Sequence, residues 1–325
     1  MISLEKIPGK DFIILNLTDP QLADDEWAEG HMNRKILVNT VTELVRRAKP
    51  DLITITGDIA WAGHFESYEN FANLLDSFEI PWAPIWGNHD NQDGPESVER
   101  VVEGYLKHKY CIYERGDAGL GNGNYVISIE ENGKPVEGLI MMDTHDRISY
   151  MDDNGETRKA YAILLPEQVE WYKGQVQELK SRGCNDTTMM LHIPIYAYKE
   201  AFEAAFCKKF EREKISILDY FHENCWNDGY KDTIGIQLED VACSVINDRV
   251  MDAVVEMGST KHIVAGHDHV NNWMISYRGV RLLYSLKTGA GCYWNPYLNG
   301  GTVFRVTSEG VENVYHEYVH LGIVD

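Results

Sequence analysis

The chain has few cysteines, no long apolar run and a shortage of basic residues. Its six cysteines lie far apart without a C-x-x-C pair, which favours free, mostly buried thiols in a reducing cytoplasm over a zinc cluster or a disulfide framework. No segment approaches the roughly 20 apolar residues of a membrane span. The amino terminus lacks the basic and apolar regions of a secretory signal, so we expect no export.

Acidic residues outnumber basic ones, 51 to 30, and the formal net charge is −21. Such a field repels nucleic acids and anionic membranes, so we expect neither as a partner, although bound cations can still attract a phosphate locally. Apolar residues make up 44% of the 325, enough for one large core. We therefore expect a single domain over residues 1–325, of unknown oligomeric state.

Apolar, β-branched runs alternate with amphipathic helical patterns in the first hundred residues. The predicted order is strand, helix, strand, helix, strand, at Phe12–Leu17, Asn33–Ala48, Asp51–Thr56, Tyr68–Phe78 and Trp82–Trp86. A strand–helix–strand crossover places successive strands in parallel, so the loops at their carboxyl ends gather at one edge of the sheet.

The second half of the chain predicts further strands and a second sheet. Strands are expected at Tyr125–Ile129, Gly138–Asp143, Thr187–His192 and His262–Ala265, with a helix at Glu167–Arg182. Four β-rich runs over residues 273–318 predict antiparallel hairpins, and residues 196–260 predict a helical cap beside the site. The predicted fold class is α/β, a four-layer α/β/β/α sandwich of two mixed sheets flanked by helices.

Three polar residues that follow one predicted strand carry the main chemical signal. Asn88 offers an amide oxygen to a hard cation, His89 can protonate a leaving oxygen, and Asp90 can hold the imidazole in one tautomer. Each residue alone is weak evidence, since a single aspartate after a strand is more often a helix cap.

Other strand ends supply the same kind of residue and point to two metal ions. Two metals about 3.5 to 4 Å apart clamp phosphoryl oxygens and lower the pKa of a bound water, and they need a bridging carboxylate. Asp58 is the candidate for that bridge, because Gly57 allows close backbone approach. In an extended segment His267 and His269 would point the same way, toward adjacent metals. Further candidate ligands are Asp19, Gln21 and His192.

The order of these motifs resembles the calcineurin-like metallophosphoesterase superfamily, whose blocks run D-x-H, G-D, G-N-H-[DE], a lone H and G-H-x-H. The residues around the last two blocks are similar to those of one branch of the superfamily. That branch is related to the purple acid phosphatases but lacks their export and glycosylation features. The resemblance implies a bridging hydroxide as nucleophile, with His89 beside the leaving group and Asp90 orienting it. It also implies one metal on Asp19, Asp58 and His269, and another on Asp58, Asn88, His192 and His267.

The sequence departs from the family pattern at two positions. Gln21 stands where a metal-binding histidine is usual, so that site must use an amide oxygen, a water or three protein ligands. Trp61 stands where purple enzymes place a metal-binding tyrosine, so no purple charge-transfer band is expected. An oxygen-rich site favours iron or manganese over zinc, although the availability of each metal also determines which ion is bound.

Residues that bind the rest of the substrate are harder to assign. Asn88 and His89 are expected to contact the phosphate, and weaker candidates are His31, Tyr293 and Trp294. The two aromatic rings could stack on a base or an aryl leaving group, although ordinary loop packing is the commoner role. No basic residues cluster around a motif, so the sequence gives no sign of a polyphosphate clamp.

The predicted activity is hydrolysis of phosphate esters by direct attack of a metal-bound hydroxide, with a monoester as substrate. That substrate would be a phosphorylated small molecule or a phosphoprotein. One alternative is a phosphodiesterase acting on cyclic nucleotides or glycerophosphodiesters. Another is a non-catalytic, metal-dependent phosphate-binding module in which Gln21 marks decay of one metal site.

Overall fold

The computed structural model describes residues 1–92, 95–206 and 226–320. The strands in chain order are β1 (Ile2–Glu5), β2 (Phe12–Leu17), β3 (Leu52–Thr56), β4 (Trp82–Ile85), β5 (Tyr125–Glu131), β6 (Lys134–Met141), β7 (Arg147–Met151), β8 (Thr157–Tyr161), β9 (Thr187–Met190), β10 (Thr260–Ala265), β11 (Met274–Tyr277), β12 (Val280–Tyr284), β13 (Gly300–Thr307) and β14 (Gly310–Tyr318). The helices are α1 (Met32–Ala48), α2 (Phe65–Asp76), α3 (Asn88–Asn91), α4 (Pro95–Tyr105), α5 (Pro166–Ser181), α6 (Ala197–Ala205) and α7 (Val250–Met257).

Two mixed sheets form the centre of the molecule. One has the order β1-β5-β6-β9-β10-β12-β11, and the other has the order β14-β13-β2-β3-β4. Strands β2, β3 and β4 run parallel, as the crossover rule predicts, and β13 joins β2 antiparallel. A separate hairpin pairs β7 with β8. The hairpins predicted for residues 273–318 are confirmed by the β11–β12 and β13–β14 pairs.

The seven-stranded sheet is covered on both faces. Ile127 and Val264 belong to the hydrophobic cluster that includes the five-stranded sheet and helices α1, α2 and α4. Their chain neighbours Val126 and Ile263 belong to a second cluster with α5, α6 and α7. Because consecutive strand residues point to opposite faces, the layers are helix, sheet, sheet, helix, and the predicted sandwich is confirmed.

Some elements differ from the prediction. Strand β1 and the β7–β8 hairpin were not expected, because alternation over only four or five residues is too short to identify a strand. The predicted cap over 196–260 is helical at α6 and α7 but not at residues 226–249. There Gly235 has a φ of +91°, and Asn271 and Asn272 accept backbone N–H groups that a helix would have used. Residues 207–225 of that cap lie outside the described residues.

The cysteines in the described ranges are free, as predicted, but most of them are not buried. Among them Cys184 is buried, Cys111 and Cys243 are partly buried and Cys292 is exposed, while Cys207 and Cys225 lie outside those ranges. No helix in the described part of the chain is both long enough and apolar enough to cross a lipid bilayer.

The buried carboxylate of Glu137 makes stability depend on pH. Glu137 is 1% exposed, accepts hydrogen bonds from Thr188 Oγ1 and the Val311 backbone, and burial raises its pKa to about 8. The folded state keeps this proton between the unfolded pKa of about 4.5 and pH 8, whereas the unfolded chain releases it. The free energy of unfolding should therefore fall by roughly 1 kcal/mol per pH unit across that window.

We expect Glu137→Gln to remove this fall, because its amide cannot ionise. Urea unfolding at pH 5, 6.5 and 8 would measure the change, and Glu103→Gln on the exposed face of α4 is the matched control. An identical pH dependence in the wild-type protein and Glu137→Gln would contradict the assignment.

Candidate metal centre

The loops after β2 and β3 hold three predicted ligands in left-handed backbone conformations. The φ angles of Asp19, Gln21 and Asp58 are +54°, +44° and +47°. The loops are tied together, since Asp19 N donates to Gly57 O and Gln21 N donates to Asp58 O, at 3.1 and 3.2 Å. A non-glycine residue in this region costs of order 1 kcal/mol and persists only where its surroundings hold it. The backbone is thus strained to aim these side chains.

Asp58, His192 and His267 form a buried cluster whose ligand atoms all lie within 4.8 Å of one another. His192 Nδ1 is 2.8 Å from the Thr56 carbonyl oxygen, which can only accept, so Nδ1 carries a proton. His192 Nε2 faces Asp58 Oδ2 and Asn88 Oδ1, each at 3.2 Å. Three acceptor atoms that face one another repel unless a proton or a metal cation lies among them.

A second group adjoins this cluster. Asp19 Oδ1 is 3.3 Å from His269 Nε2, and His269 Nδ1 donates to the Tyr293 carbonyl at 2.8 Å. Because Nδ1 of His269 carries the proton, as in His192, the Nε2 atom of His269 is the one that faces the Asp19 carboxylate. The two groups are joined by the backbone N–H of His267, which donates to Asp19 Oδ2 at 3.0 Å. Gln21 Nε2 donates to Asp58 Oδ2 at 3.0 Å. The bridging position of Asp58 stays a prediction.

Several buried polar atoms at this place lack a hydrogen-bond partner among the described residues: Asp19 Oδ1, Gln21 Oε1, His267 Nε2 and His89 Nδ1. An orphaned buried acceptor costs roughly 1 to 3 kcal/mol, so folded proteins seldom keep four together. Oxygen and imidazole nitrogen atoms are the donor set of iron, manganese and zinc. The residues present thus fit a metal centre.

The charges of the cluster also fit cation binding. Burial alone would raise the pKa of Asp58, but the positive charge of His192 outweighs it and holds that pKa below its ordinary value. Burial and then the charge of His192 lower the pKa of His267 to about 3, so this imidazole is neutral. Asp58 and His267 thus have the protonation states that metal ligation requires. His192 does not, because burial alone would lower its pKa but the charge of Asp58 outweighs burial and raises that pKa to about 10, so a metal ion would have to displace this proton.

Comparison with known proteins agrees with this geometry. The model of the calcineurin-like phosphoesterase family matches residues 13–271. The chain belongs to this family.

Two relatives are plant proteins from Arabidopsis thaliana. "Probable inactive purple acid phosphatase 28" is 22% identical over 288 residues, which cover 78% of this chain and 62% of that protein. "Probable inactive purple acid phosphatase 14" is 27% identical over 316 residues, covering 89% and 70%. The chain thus spans less than two thirds of the first relative's length.

A solved structure shares the fold. The crystal structure of a dimetal phosphatase from Danio rerio superposes with a TM-score of 0.58 at 12% identity, covering 94% of this chain and 98% of the other. At this identity the similarity establishes the architecture and leaves the activity to be argued from the site.

The Asp90 carboxylate hydrogen-bonds to groups other than the His89 imidazole in this family member. It accepts from the backbone N–H of Gly87 and Ile59 and from the Tyr68 hydroxyl, at 2.7, 3.1 and 2.7 Å. Within the described part of the chain, no hydrogen-bond partner lies at His89 Nδ1. The contact predicted between the two side chains is therefore not formed, because a buried carboxylate satisfies the nearer backbone donors first. Asp90 fixes the start of α3, which carries Asn88 and His89.

The extended geometry predicted for the two histidines after β10 is wrong, although both reach the centre. His267 has a φ of +73°, so the segment bends there. Asp268 is buried and accepts from Tyr284 Oη and Ala242 N, which anchors the bend. Side-chain alternation is thus not the reason that His267 and His269 share the site.

The weaker substrate candidates take other positions. His31 is exposed and caps α1, with Nδ1 accepting from Asn33 N at 3.3 Å. The Tyr293 ring stacks on His269 at 4.2 Å, and its hydroxyl donates to a glutamate, Glu239, at 2.7 Å. Tyr293 thus orients a predicted ligand. Trp294, the next residue, is partly buried.

Sequence reasoning missed a buried lysine beside the centre. Lys287 is 2% exposed, and its Nζ donates to the backbone carbonyl of Asp19. Burial lowers its pKa to about 8. The signal was present, because Lys287 lies three residues after the end of the buried strand β12, where a charged residue needs a specific partner.

Proposed function

We propose that the protein is a dinuclear metal-dependent phosphoesterase that hydrolyses phosphate monoesters. The observation that carries the proposal is the convergence of acceptor atoms from Asp58, Asn88 and His192. Asp58 also contacts Gln21, beside the Asp19–His269 pair. We assign one ion to Asp19, Gln21, Asp58 and His269, and the other to Asp58, Asn88, His192 and His267.

Two ions held there would neutralise phosphoryl oxygens and lower the pKa of a bound water. The chain's own contribution is to position the ester and to protonate the leaving oxygen. His89 suits the second task, because its side chain is 24% exposed at the mouth of the site, and its Nε2 is 4.0 Å from Asp58 Oδ2. Trp61 packs on the imidazole with ring centroids 4.3 Å apart and restricts its orientation.

A monoester substrate, either a small molecule or a phosphoprotein, is consistent with the acid phosphatase names of the two plant relatives. The word "inactive" in those names supports an alternative that is not an enzyme, namely a non-catalytic phosphate-binding module. The retained His89 favours catalysis, since a module that only binds phosphate has no leaving group to protonate. The cytoplasmic location stays a prediction.

The proposal is tested with metal-stripped protein reloaded separately with manganese, iron or zinc. We expect metal-dependent hydrolysis of p-nitrophenyl phosphate that exceeds hydrolysis of bis-p-nitrophenyl phosphate. Faster hydrolysis of the diester would instead indicate that the protein is a phosphodiesterase. Two bound metal equivalents with phosphate binding and no turnover of either ester would favour the binding module.

His89→Ala should lower kcat about 100-fold while metal content stays unchanged, because general acid catalysis contributes roughly 10²–10⁴-fold. Metal analysis and steady-state kinetics on p-nitrophenyl phosphate measure the two quantities. His320→Ala, an exposed histidine just after β14, is the matched control. Full activity of His89→Ala on esters with both good and poor leaving groups would remove the proposed role.

A further inference from the structure

The unexpected β7–β8 hairpin reaches the metal centre through one aromatic residue. Tyr161, in the last position of β8, packs edge-on against His267 with ring centroids 4.5 Å apart. The Arg147 guanidinium carbon lies 4.0 Å from the centroid of the same Tyr161 ring. A cation held on an aromatic face keeps much of its orientation before any ligand arrives. Tyr161 therefore connects the predicted ligand His267 to the Arg147 guanidinium, which is oriented before a substrate binds.

Strand register determines which side chains accompany Arg147. Arg147 pairs with Tyr161, and Ser149 pairs with Lys159, so these four residues lie on one face of the hairpin. Arg147, Ser149 and Lys159 are exposed, and this face, which we call the cationic face, extends from the centre toward solvent. Arg158 lies on the opposite face, paired with Asp152 and Glu156.

The base of the hairpin is within electrostatic reach of the centre. Burial raises the pKa of Asp146, while the charges of Arg147 and His89 oppose that rise. Among the described residues, the only ion pair of Arg147 is with Asp146 at 3.7 Å, too long for a hydrogen bond. The guanidinium therefore retains donors for an incoming anion.

The negative net charge of the protein makes a cation such as the Arg147 guanidinium important for binding an anionic substrate. At a net charge of −21 the protein repels anionic substrates, and a bound metal pair offsets that repulsion only for the scissile phosphate. A second anionic group on the substrate needs its own cation. Arginine binds carboxylate and phosphate oxygens through two parallel N–H donors, which suits this task.

We propose that Arg147, supported by Tyr161, is a specificity-determining residue that binds a second phosphate or carboxylate on the leaving-group side of the substrate. Lys159 extends the same face outward. The preferred substrates are then phosphate esters with two anionic groups. This inference rests on the proposed phosphoesterase activity and names its substrate class.

The test compares matched substrate pairs on the manganese-loaded protein. Glycerol 3-phosphate and 3-phosphoglycerate differ by a carboxylate, and fructose 6-phosphate and fructose 1,6-bisphosphate differ by a second phosphate. For Arg147→Gln we expect kcat/KM to fall about 10-fold or more on the substrate of each pair that has two anionic groups. On the substrate that has only the scissile phosphate, the fall should be less than about 3-fold. Arg147→Lys should retain part of the preference, and added salt should reduce it.

Arg158→Gln is the matched control, because it removes the same charge from the opposite face of the same hairpin. It should change neither substrate ratio, and circular dichroism of both variants checks the fold. An equal loss on both members of each pair, or the same ratio change in Arg158→Gln, would overturn the inference while leaving the phosphoesterase intact.

A binding measurement separates this inference from failure of the proposed activity. Methylenediphosphonate and methylphosphonate are non-hydrolysable and differ by one anionic group. If no ester is hydrolysed, the enzyme proposal fails, and calorimetric titration still tests Arg147. We expect tighter binding of the diphosphonate and loss of that preference in Arg147→Gln; an unchanged preference would overturn the inference.

Discussion

Asp58→Asn should lose bound metal and at least about 10³-fold in turnover. Asp58 Oδ2 lies 3.2 Å from His192 Nε2, and its Oδ1 accepts the His89 backbone N–H at 2.9 Å. Asparagine keeps the shape and the second contact but removes the negative charge shared by both ligand groups. Metal ions contribute several kcal/mol of transition-state stabilisation, which corresponds to this loss in rate.

Metal analysis after dialysis and assay with p-nitrophenyl phosphate measure the two effects of Asp58→Asn. Glu137→Gln is an informative control, since it makes the same carboxyl-to-amide change at another wholly buried position outside the ligand set. It should keep its metal and its turnover. Two retained metal equivalents in Asp58→Asn would show that Asp58 is not the shared ligand.

Gly266→Ala should destabilise the fold by about 3 kcal/mol and weaken metal binding as well. A Cβ atom at Gly266 would lie 2.0 Å from Thr18 Oγ1 and 2.9 Å from Asp19 Oδ2. Both neighbours belong to the tight loop after β2, and Asp19 Oδ2 also accepts the His267 backbone N–H at 3.0 Å. The methyl group can be placed only if this loop moves, which displaces two predicted ligands together.

Gly174→Ala is the opposite case and a useful comparison. Gly174 is exposed within α5, and an added Cβ would meet nothing within 4 Å. Alanine should therefore stabilise the protein by roughly 0.5 to 1 kcal/mol through helix propensity. Urea unfolding of both variants, with metal titration, checks the contrast. Equal stability of Gly266→Ala and the wild-type protein would mean that the loop after β2 tolerates displacement.

Much of the fold and most of the candidate ligands were predictable because they depend on local sequence. Buried strands such as Leu52–Thr56 are apolar and β-branched, and the residues that follow them are polar. Parallel strands place such residues at one edge whatever the distant contacts are. Asp58 and Asn88 could therefore be placed near each other without a structure.

The partners of these side chains were not predictable, because they are set by tertiary packing. Asp90 lies beside His89 in sequence, yet its oxygens bind backbone donors of Gly87 and Ile59. The hairpin that carries Arg147 has strands of only five residues, largely exposed, so their alternation is too short to predict a strand that borders the site. Sequence also left the role of Gln21 open, whereas the fold points its amide into the cluster.

The candidate centre has a mechanical consequence, because its ligands come from both halves of the sandwich. Asp19, Asp58 and Asn88 follow strands of the five-stranded sheet, whereas His192, His267 and His269 follow strands of the seven-stranded sheet. An ion bound by both sets would add a cross-link between sheets that are already joined by apolar packing and by hydrogen bonds such as Val311 N to Glu137 Oε2. Loading the centre should therefore make the two sheets unfold more nearly as one cooperative unit.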